Sequence, residues 1–305
     1  MNEYLLSVIL GIIEGLTEFL PVSSTAHLRI AEAMSTQIRL DDPYWKMYTV
    51  VIQLGAILAV VVFFWKRLMK FIATFPRGEK NDHTLMTHPL MLVMVAFVCT
   101  AIPALLLKKR IHANLENLWV IGASLLVGGV VMWVVDVMCQ RVTTPDIERM
   151  SLPQAIWVGL VQILSAVFPG TSRSMSTIAA GQTVGLSRSA ALDFSFFLCI
   201  PTMIAATGKE LWDTIGGMQW LKGLLGLHRG GSAEAQPATQ AILPYLHMTS
   251  HQWVVLAIGF VVSFLVAWAV IAWFIAWVRK HGFVPFAIYR IVLGLAVLIW
   301  QLNRG

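Results

Sequence analysis

Two apolar runs in this chain stop too soon to cross a bilayer, and each stops at a proline. Residues 4–20 end at Pro21, and residues 153–168 end at Pro169-Gly170. A spanning helix needs about 20 apolar residues, and proline cannot continue a helical hydrogen-bond ladder. Interrupted backbone is tolerated at membrane depth only where protein or a polar cavity surrounds it. Hydroxyls follow each break: Ser23, Ser24 and Thr25 after the first, Thr171, Ser172 and Ser174 after the second. Each run, with the short helix after it (22–34 and 171–186), therefore reads as a re-entrant hairpin.

The rest of the chain supplies what surrounds them. Apolar stretches long enough to span lie at 45–65, 88–107, 116–139, 189–208, 252–277 and 283–302. Only 12% of the 305 residues are charged and 57% are hydrophobic, whereas a soluble domain carries about 25% charged residues. The fold class is thus an all-α polytopic membrane protein with about six full spans. Residues 35–44, 66–87 and 140–152 read as polar connectors, and 209–250 as a long mobile loop rich in Gly, Ala, Gln and Pro. The net charge of +6 fits cytoplasmic loops and anionic lipid. No dense basic run is interleaved with exposed aromatics, so nucleic acid is excluded as a partner. Cys99, Cys139 and Cys199 lie singly in apolar segments, which implies neither a disulfide framework nor a zinc site. The N-terminus lacks a basic n-region and its apolar stretch holds two glutamates, so it is not read as a cleaved signal.

The order of short helix, proline, hydroxyl cluster, short helix and span occurs twice. An offset of 148 places Gly11 on Gly159, Glu14 on Gln162, Pro21 on Pro169 and Ser24 on Ser172. Repeat one (1–140) has an odd number of crossings, so repeat two (151–305) is expected upside down. In such inverted-topology repeats, sites form at mid-depth where broken helices meet. Lys66, Arg67, Lys70, Arg77 and Lys80 put the 66–87 loop in the cytoplasm, which opens the first hairpin to the outside. Lys108, Lys109 and Arg110 then fall outside, against the rule.

The first hairpin carries Glu14 and Glu18, one helical turn apart and so on one face. An acidic side chain mid-membrane costs at least ~2.5–3.5 kcal/mol on insertion scales. Ser23, Ser24, Thr25 and His27 follow them at the break. The second hairpin offers Arg173 among Ser172, Thr171 and Ser174, a guanidinium that grips phosphate oxygens with two donors. Acids on one wall and an arginine on the other point to a divalent cation, Mg2+ or Ca2+, held by Glu14 and Glu18 against a phosphate. Ser24 could attack phosphorus, or water activated by Glu18 or His27 could do so, with His27 shuttling protons. Bland roles compete. The acids can be structural ions against Arg29 or Arg173, the hydroxyls can satisfy freed backbone groups, and Gln53 can bond within its span. Asp136 and Asp193, near span ends, read as structural.

EGLTEFLPVSSTAH, VIQLGAILAVV, PGTSRS, FSFFLCIP and PFAIYR together, in order and over nearly the whole chain, resemble the bacterial undecaprenyl-diphosphate phosphatase, or bacitracin-resistance, family. The resemblance implies an inner-membrane hydrolase that removes the terminal phosphate of undecaprenyl diphosphate, with its site facing the periplasm. It implies bacitracin resistance and recycling of the lipid carrier for wall synthesis. Its acidic pair falls on Glu14 and Glu18, its serine-histidine pair on Ser24 and His27, its serine-arginine pair on Ser172 and Arg173, and its threonine on Thr177. Ser23, Thr25, Ser174 and Thr177 join Ser172 in binding phosphate. Ala26 and Met175 stand where the family commonly has Gly. The partners expected are undecaprenyl diphosphate, membrane lipid and a second copy in a homodimer. A transporter or lipid flippase built on the same inverted repeats is the competing reading.

Overall fold

In the computed structural model, residues 2–35, 42–78, 83–115, 117–214 and 248–303 are described. They form α1 (Glu3–Thr17), α2 (Ser24–Met34), α3 (Pro43–Phe63), α4 (Trp65–Thr74), α5 (Pro89–Leu106), α6 (Lys108–Asn114), α7 (Leu118–Met138), a 3-10 turn (Ile147–Arg149), α8 (Leu152–Val167), α9 (Arg173–Thr183), α10 (Arg188–Thr214), α11 (Ser250–His281) and α12 (Val284–Leu302). Among the described residues there is no strand, only an isolated bridge between Thr144 and Leu186. Six helices, α3, α5, α7, α10, α11 and α12, are long and apolar enough to cross a membrane. Apolar side chains such as Val127, Val131 and Val134 on α7 and Val292, Leu295 and Ile299 on α12 are exposed. A soluble protein does not present so much apolar surface. The chain is a multi-pass membrane protein.

Helix starts follow local chemistry. Asn2, Asp42, His88, Asn117 and Thr249 each accept a backbone N–H of the first turn. Helix α11 ends in Arg279, Lys280 and His281, cations that suit the negative end of a helix dipole. Three connectors are more helical than their polarity implies. Residues 65–74 form α4 rather than loop, residues 108–114 form α6, and α10 runs on to Thr214. Helix α4 keeps its helicity because Phe71 is buried, while Lys66 and Lys70 share the rest of its surface with partly exposed groups. The remainder of the expected mobile loop, 215–247, lies outside the described residues.

Packing interlocks the two halves. Helix α1 lies on α11, α8 on α5, and α7 on α12, so the first short helix of each half rests on a span of the other. Approach of α1 to α11 is close. A Cβ on Gly15 would stand 2.7 Å from Ser263 O and 2.8 Å from Val266 Cβ, a small-residue contact of the kind that packs membrane helices. The FSFF segment serves the core. Phe194, Phe196 and Phe197 are buried, and Phe196 meets Phe19 of the first break edge-on with centroids 5.7 Å apart. Asp136 accepts from Arg188 Nε (2.7 Å) and from the Phe283 N–H (2.9 Å). Asp193 and Glu148 hold Arg67 at 2.5 and 3.0 Å. These acids tie helices together.

Candidate active site

Helix α1 ends at Thr17, before Pro21 restricts the backbone ahead of it, and α2 restarts at Ser24. In the second half the break runs from Phe168 to Ser172. Ser23 and Ser172 cap the restarting helices, accepting from the N–H groups of Ala26 (3.3 Å) and Met175 (3.4 Å). Both have positive φ, 75° and 71°. A residue with a β-carbon held there stores ~1–3 kcal/mol of strain, which persists only where the surroundings over-determine it. The same strained serine thus occurs at both breaks. It pairs Ser23, not Ser24, with Ser172. The first break (18–23) is one residue longer than the second (168–172), so no single offset aligns both sides.

The two breaks meet. Ser174 Oγ donates to Leu20 O at 3.0 Å, and Arg173 Nη2 faces Glu18 Oε1 at 3.5 Å. Ser24 Oγ donates to the other oxygen of Glu18 at 2.6 Å. Arg29, the alternative partner for the acids, pairs with Glu32 at 3.2 Å instead. A cavity of about 190 Å³ opens beside the Glu18–Arg173 pair, lined from the breaks by Glu18, Ser23, Ser24, Thr25, Ser172 and Arg173. Liquid water takes ~30 Å³ per molecule, so the space suits a small polar headgroup. The Nε and Nη2 of Arg173 are buried with no hydrogen-bond partner among the described residues. Donors left unmade in this way are costly, and Arg173 itself lines the cavity.

The other sequence candidates stand further back. Ser174 is fully buried between Ser172 Oγ (3.0 Å) and Leu20 O. Thr177 lies 2.7 Å from Ser195 Oγ and donates to Arg173 O at 3.0 Å, supporting the arginine from behind. His27 does not line the cavity. Its Nδ1 reaches Ser23 O and its Nε2 reaches the Tyr289 hydroxyl, both at 2.7 Å. A carbonyl only accepts, so Nδ1 carries a proton, and in the neutral ring Nε2 then accepts from Tyr289. To take a proton in the reaction, His27 must first release that tyrosine.

Glu14 is the most demanding residue. It is fully buried, one turn before Glu18, and neither of its carboxylate oxygens has a partner among the described residues. An isolated ionised carboxylate is far too costly to bury, so Glu14 needs a proton or a cation beside it. No group of three or more His, Cys, Asp or Glu side chains is arranged for a metal among the described residues. Two carboxylates with substrate oxygens completing the shell are the usual provision for Mg2+ at a phosphate. Of the two acids Glu18 lines the cavity and Glu14 is buried out of it, so the unpartnered oxygens of Glu14 are the feature here that suits such an ion.

Gln53, which the sequence offers equally as a bond within its span or as support for the site, lies in the polar lining. The structure adds Thr100, Gln162 and Thr202 to that lining. Gln162 Nε2 donates to Thr100 (3.0 Å) and Thr202 (3.2 Å), and its Oε1 is unpartnered among the described residues. The one signal for Gln162 was its alignment with Glu14. Ser195, inside the FSFF segment, accepts from Arg173 Nη1 through its carbonyl at 3.2 Å. Its surroundings read as core, which hid it.

The family model described as bacitracin resistance protein BacA matches residues 7–296. A protein of Koribacter versatilis named undecaprenyl-diphosphatase is 56% identical over 305 residues, covering 100% of both chains. Proteins of the same name from Rhizorhabdus wittichii and Caldanaerobacter subterraneus are 39% and 36% identical. They cover 100% and 98% of this chain, and 100% and 96% of their own.

Proposed function

The chain belongs to the bacitracin resistance protein BacA family, and from that premise we propose that it hydrolyses undecaprenyl diphosphate to undecaprenyl phosphate and phosphate. The observation that carries the chemistry is the row Ser24–Glu18–Arg173, a hydroxyl bonded to a carboxylate that is loosely paired with a guanidinium. Nucleophile, base and orienting group stand in the order that activates a hydroxyl.

In this reading the terminal phosphate enters between the breaks and pairs with Arg173 in place of Glu18. A contact of 3.5 Å is weak enough to be exchanged for a bidentate phosphate. Glu18 keeps the oxygen that already accepts from Ser24 as the base. Ser24 gives its proton to Glu18 as Oγ bonds to the terminal phosphorus, and the bridging P–O bond breaks to release undecaprenyl phosphate. Water then attacks the phosphoserine, Ser24 regains a proton, and inorganic phosphate leaves. Arg173 faces the charge on the transferred group throughout. Glu14 and Glu18 would hold Mg2+ or Ca2+, which when bound neutralises the diphosphate and polarises its oxygens. Ser23, Thr25 and Ser172 contribute hydroxyls, while Ser174 and Thr177 brace the second break.

We further place both hairpins as re-entrant elements of inverted repeats, in a bacterial inner membrane with the cavity open to the periplasm. That position suits recycling of the wall carrier lipid and, with it, bacitracin resistance. Substrate binding by a homodimer is compatible with this placement. Transport alone has no use for a hydroxyl bonded to a carboxylate, so hydrolysis is the better reading. The test is phosphate release from undecaprenyl diphosphate by purified protein in detergent. Ser24→Ala should lose at least about 10²-fold in turnover, and acid quenching of the wild type should trap phosphate on Ser24. Wild-type turnover in Ser24→Ala would assign the attack to water.

A further inference from the structure

Arg290, on α12, is one of the largest fully buried side chains, with 0% exposure. It pairs with no carboxylate within ion-pair distance among the described residues; its hydrogen bonds go to backbone carbonyls. Nη1 donates to Pro21 O (3.1 Å), and Nη2 donates to Gly170 O (2.9 Å) and Ser124 O (3.3 Å). Pro21 belongs to the first break, Gly170 to the second, and Ser124 to α7. One planar group therefore spans both interruptions, and Arg290 is not among the residues that line the cavity. Space for it is built in. A Cβ on Gly128 would collide with Arg290 Nη2 and would come within 2.7 Å of Met175 Cε.

We propose that Arg290 is a positioning residue for the reaction. It fixes the wall bearing Glu18 and Ser24 in register with the wall bearing Arg173, and it does so without touching substrate. The physical reason is the cost of the arrangement. Burying a guanidinium with no counter-charge is expensive, and apolar side chains of similar volume often serve stability as well or better. What an apolar residue cannot do is join carbonyls from two chain breaks that lack helical partners of their own. The break-to-break contact from Ser174 to Leu20 O (3.0 Å) is one neutral hydrogen bond. Arg290 adds charge-assisted bonds to both loops at once. A displacement of about 1 Å between reacting groups can cost 10²-fold in rate, so this register is worth holding.

The inference rests on the active-site reading above, and the experiment separates the two. Turnover and KM for undecaprenyl diphosphate are measured for Arg290→Lys and Arg290→Met, each with Arg173 present and in an Arg173→Ala background. With Arg173 present, Arg290→Met should lower kcat by about 10²-fold with KM within about threefold. Arg290→Lys, which keeps the charge but loses the fork, should recover part of that loss. In the Arg173→Ala background the Arg290 substitutions should cost less than about threefold more, because residues acting through one another are not additive. If Arg290→Met does not fold, Arg290→Lys carries the test, with an expected loss of about tenfold at an unchanged melting temperature. Wild-type turnover in Arg290→Lys, or losses that multiply in the Arg173→Ala background, would overturn the positioning role. Wild-type turnover in Arg173→Ala would overturn the site itself and this inference with it.

Discussion

At the scale of single residues, two groups hold the site's unusual energy. Glu14 is buried without a hydrogen-bond partner among the described residues, and Ser23 and Ser172 hold positive φ. If Glu14 helps to hold the cation, Glu14→Gln should raise the Mg2+ needed for half-maximal turnover by at least about tenfold, the loss seen for even an outer-shell partner. A chelator should stop phosphate release in the wild type, and added Mg2+ or Ca2+ should restore it. An unchanged metal requirement in Glu14→Gln would remove Glu14 from the ion. The strained serine makes a separate prediction about stability. Glycine has no β-carbon and loses only a few tenths of a kcal/mol as a helix cap, whereas alanine loses the cap and keeps the strain. Thermal unfolding in detergent should find Ser23→Gly more stable than Ser23→Ala by ~1 kcal/mol, against helix propensity. These backbone angles were not legible in the sequence, because serine after a proline break is equally at home as an ordinary cap. The acids, Ser24 and Arg173 were legible, since a charge inside an apolar run is too costly to be incidental. His27 was legible as titratable, but its partner Tyr289 is 262 positions away and no local pattern joins them.

At the scale of elements, the helix breaks and spans follow from length and proline, and the exceptions lie in the connectors. Sequence polarity hid α4, α6 and the end of α10, because a polar helix at a membrane surface and a polar loop share one composition. The start of α5 gives a test that depends on pH. His88 is buried, its Nδ1 accepts the Leu90 N–H at 3.2 Å, and its Nε2 has no hydrogen-bond partner among the described residues. Burial first, and then the neighbouring His83, hold its pKa below the ordinary 6.5. The unfolded chain therefore binds this proton first as pH falls. Its effect on stability is absent above the unfolded pKa and grows as pH drops below about 6.5, when protonation also breaks the cap. Thermal unfolding across that range should show stability falling with acid, and His88→Asn, which still caps, should flatten that part of the profile. An identical profile in His88→Asn would assign the effect to another group.

At the scale of the whole molecule, two halves pack so that each donates one broken helix to a shared site. Apolar lengths predict six spans, and charge predicts which side is inside. Neither reveals that Arg290 links the breaks, because the carbonyls it meets, on Pro21, Ser124 and Gly170, are at least 120 positions away in the chain. The proposed orientation is checked in a background lacking Cys99, Cys139 and Cys199. A cysteine at Lys109 should react with a membrane-impermeant maleimide in intact cells once the outer layer is open, and one at Arg77 only after the inner membrane is permeabilised. The opposite pattern would invert the placement of the cavity.

In the proposed reaction the breaks of both halves act as one catalytic unit. A double-mutant cycle tests it most directly, with phosphate release from undecaprenyl diphosphate measured for Glu18→Gln, Arg173→Ala and the pair. Each single change should cost about 10²-fold or more, and the pair should be little worse than the poorer single, as for residues that work together. Losses that multiply, or a wild-type rate in either single variant, would show that the two walls do not serve one reaction.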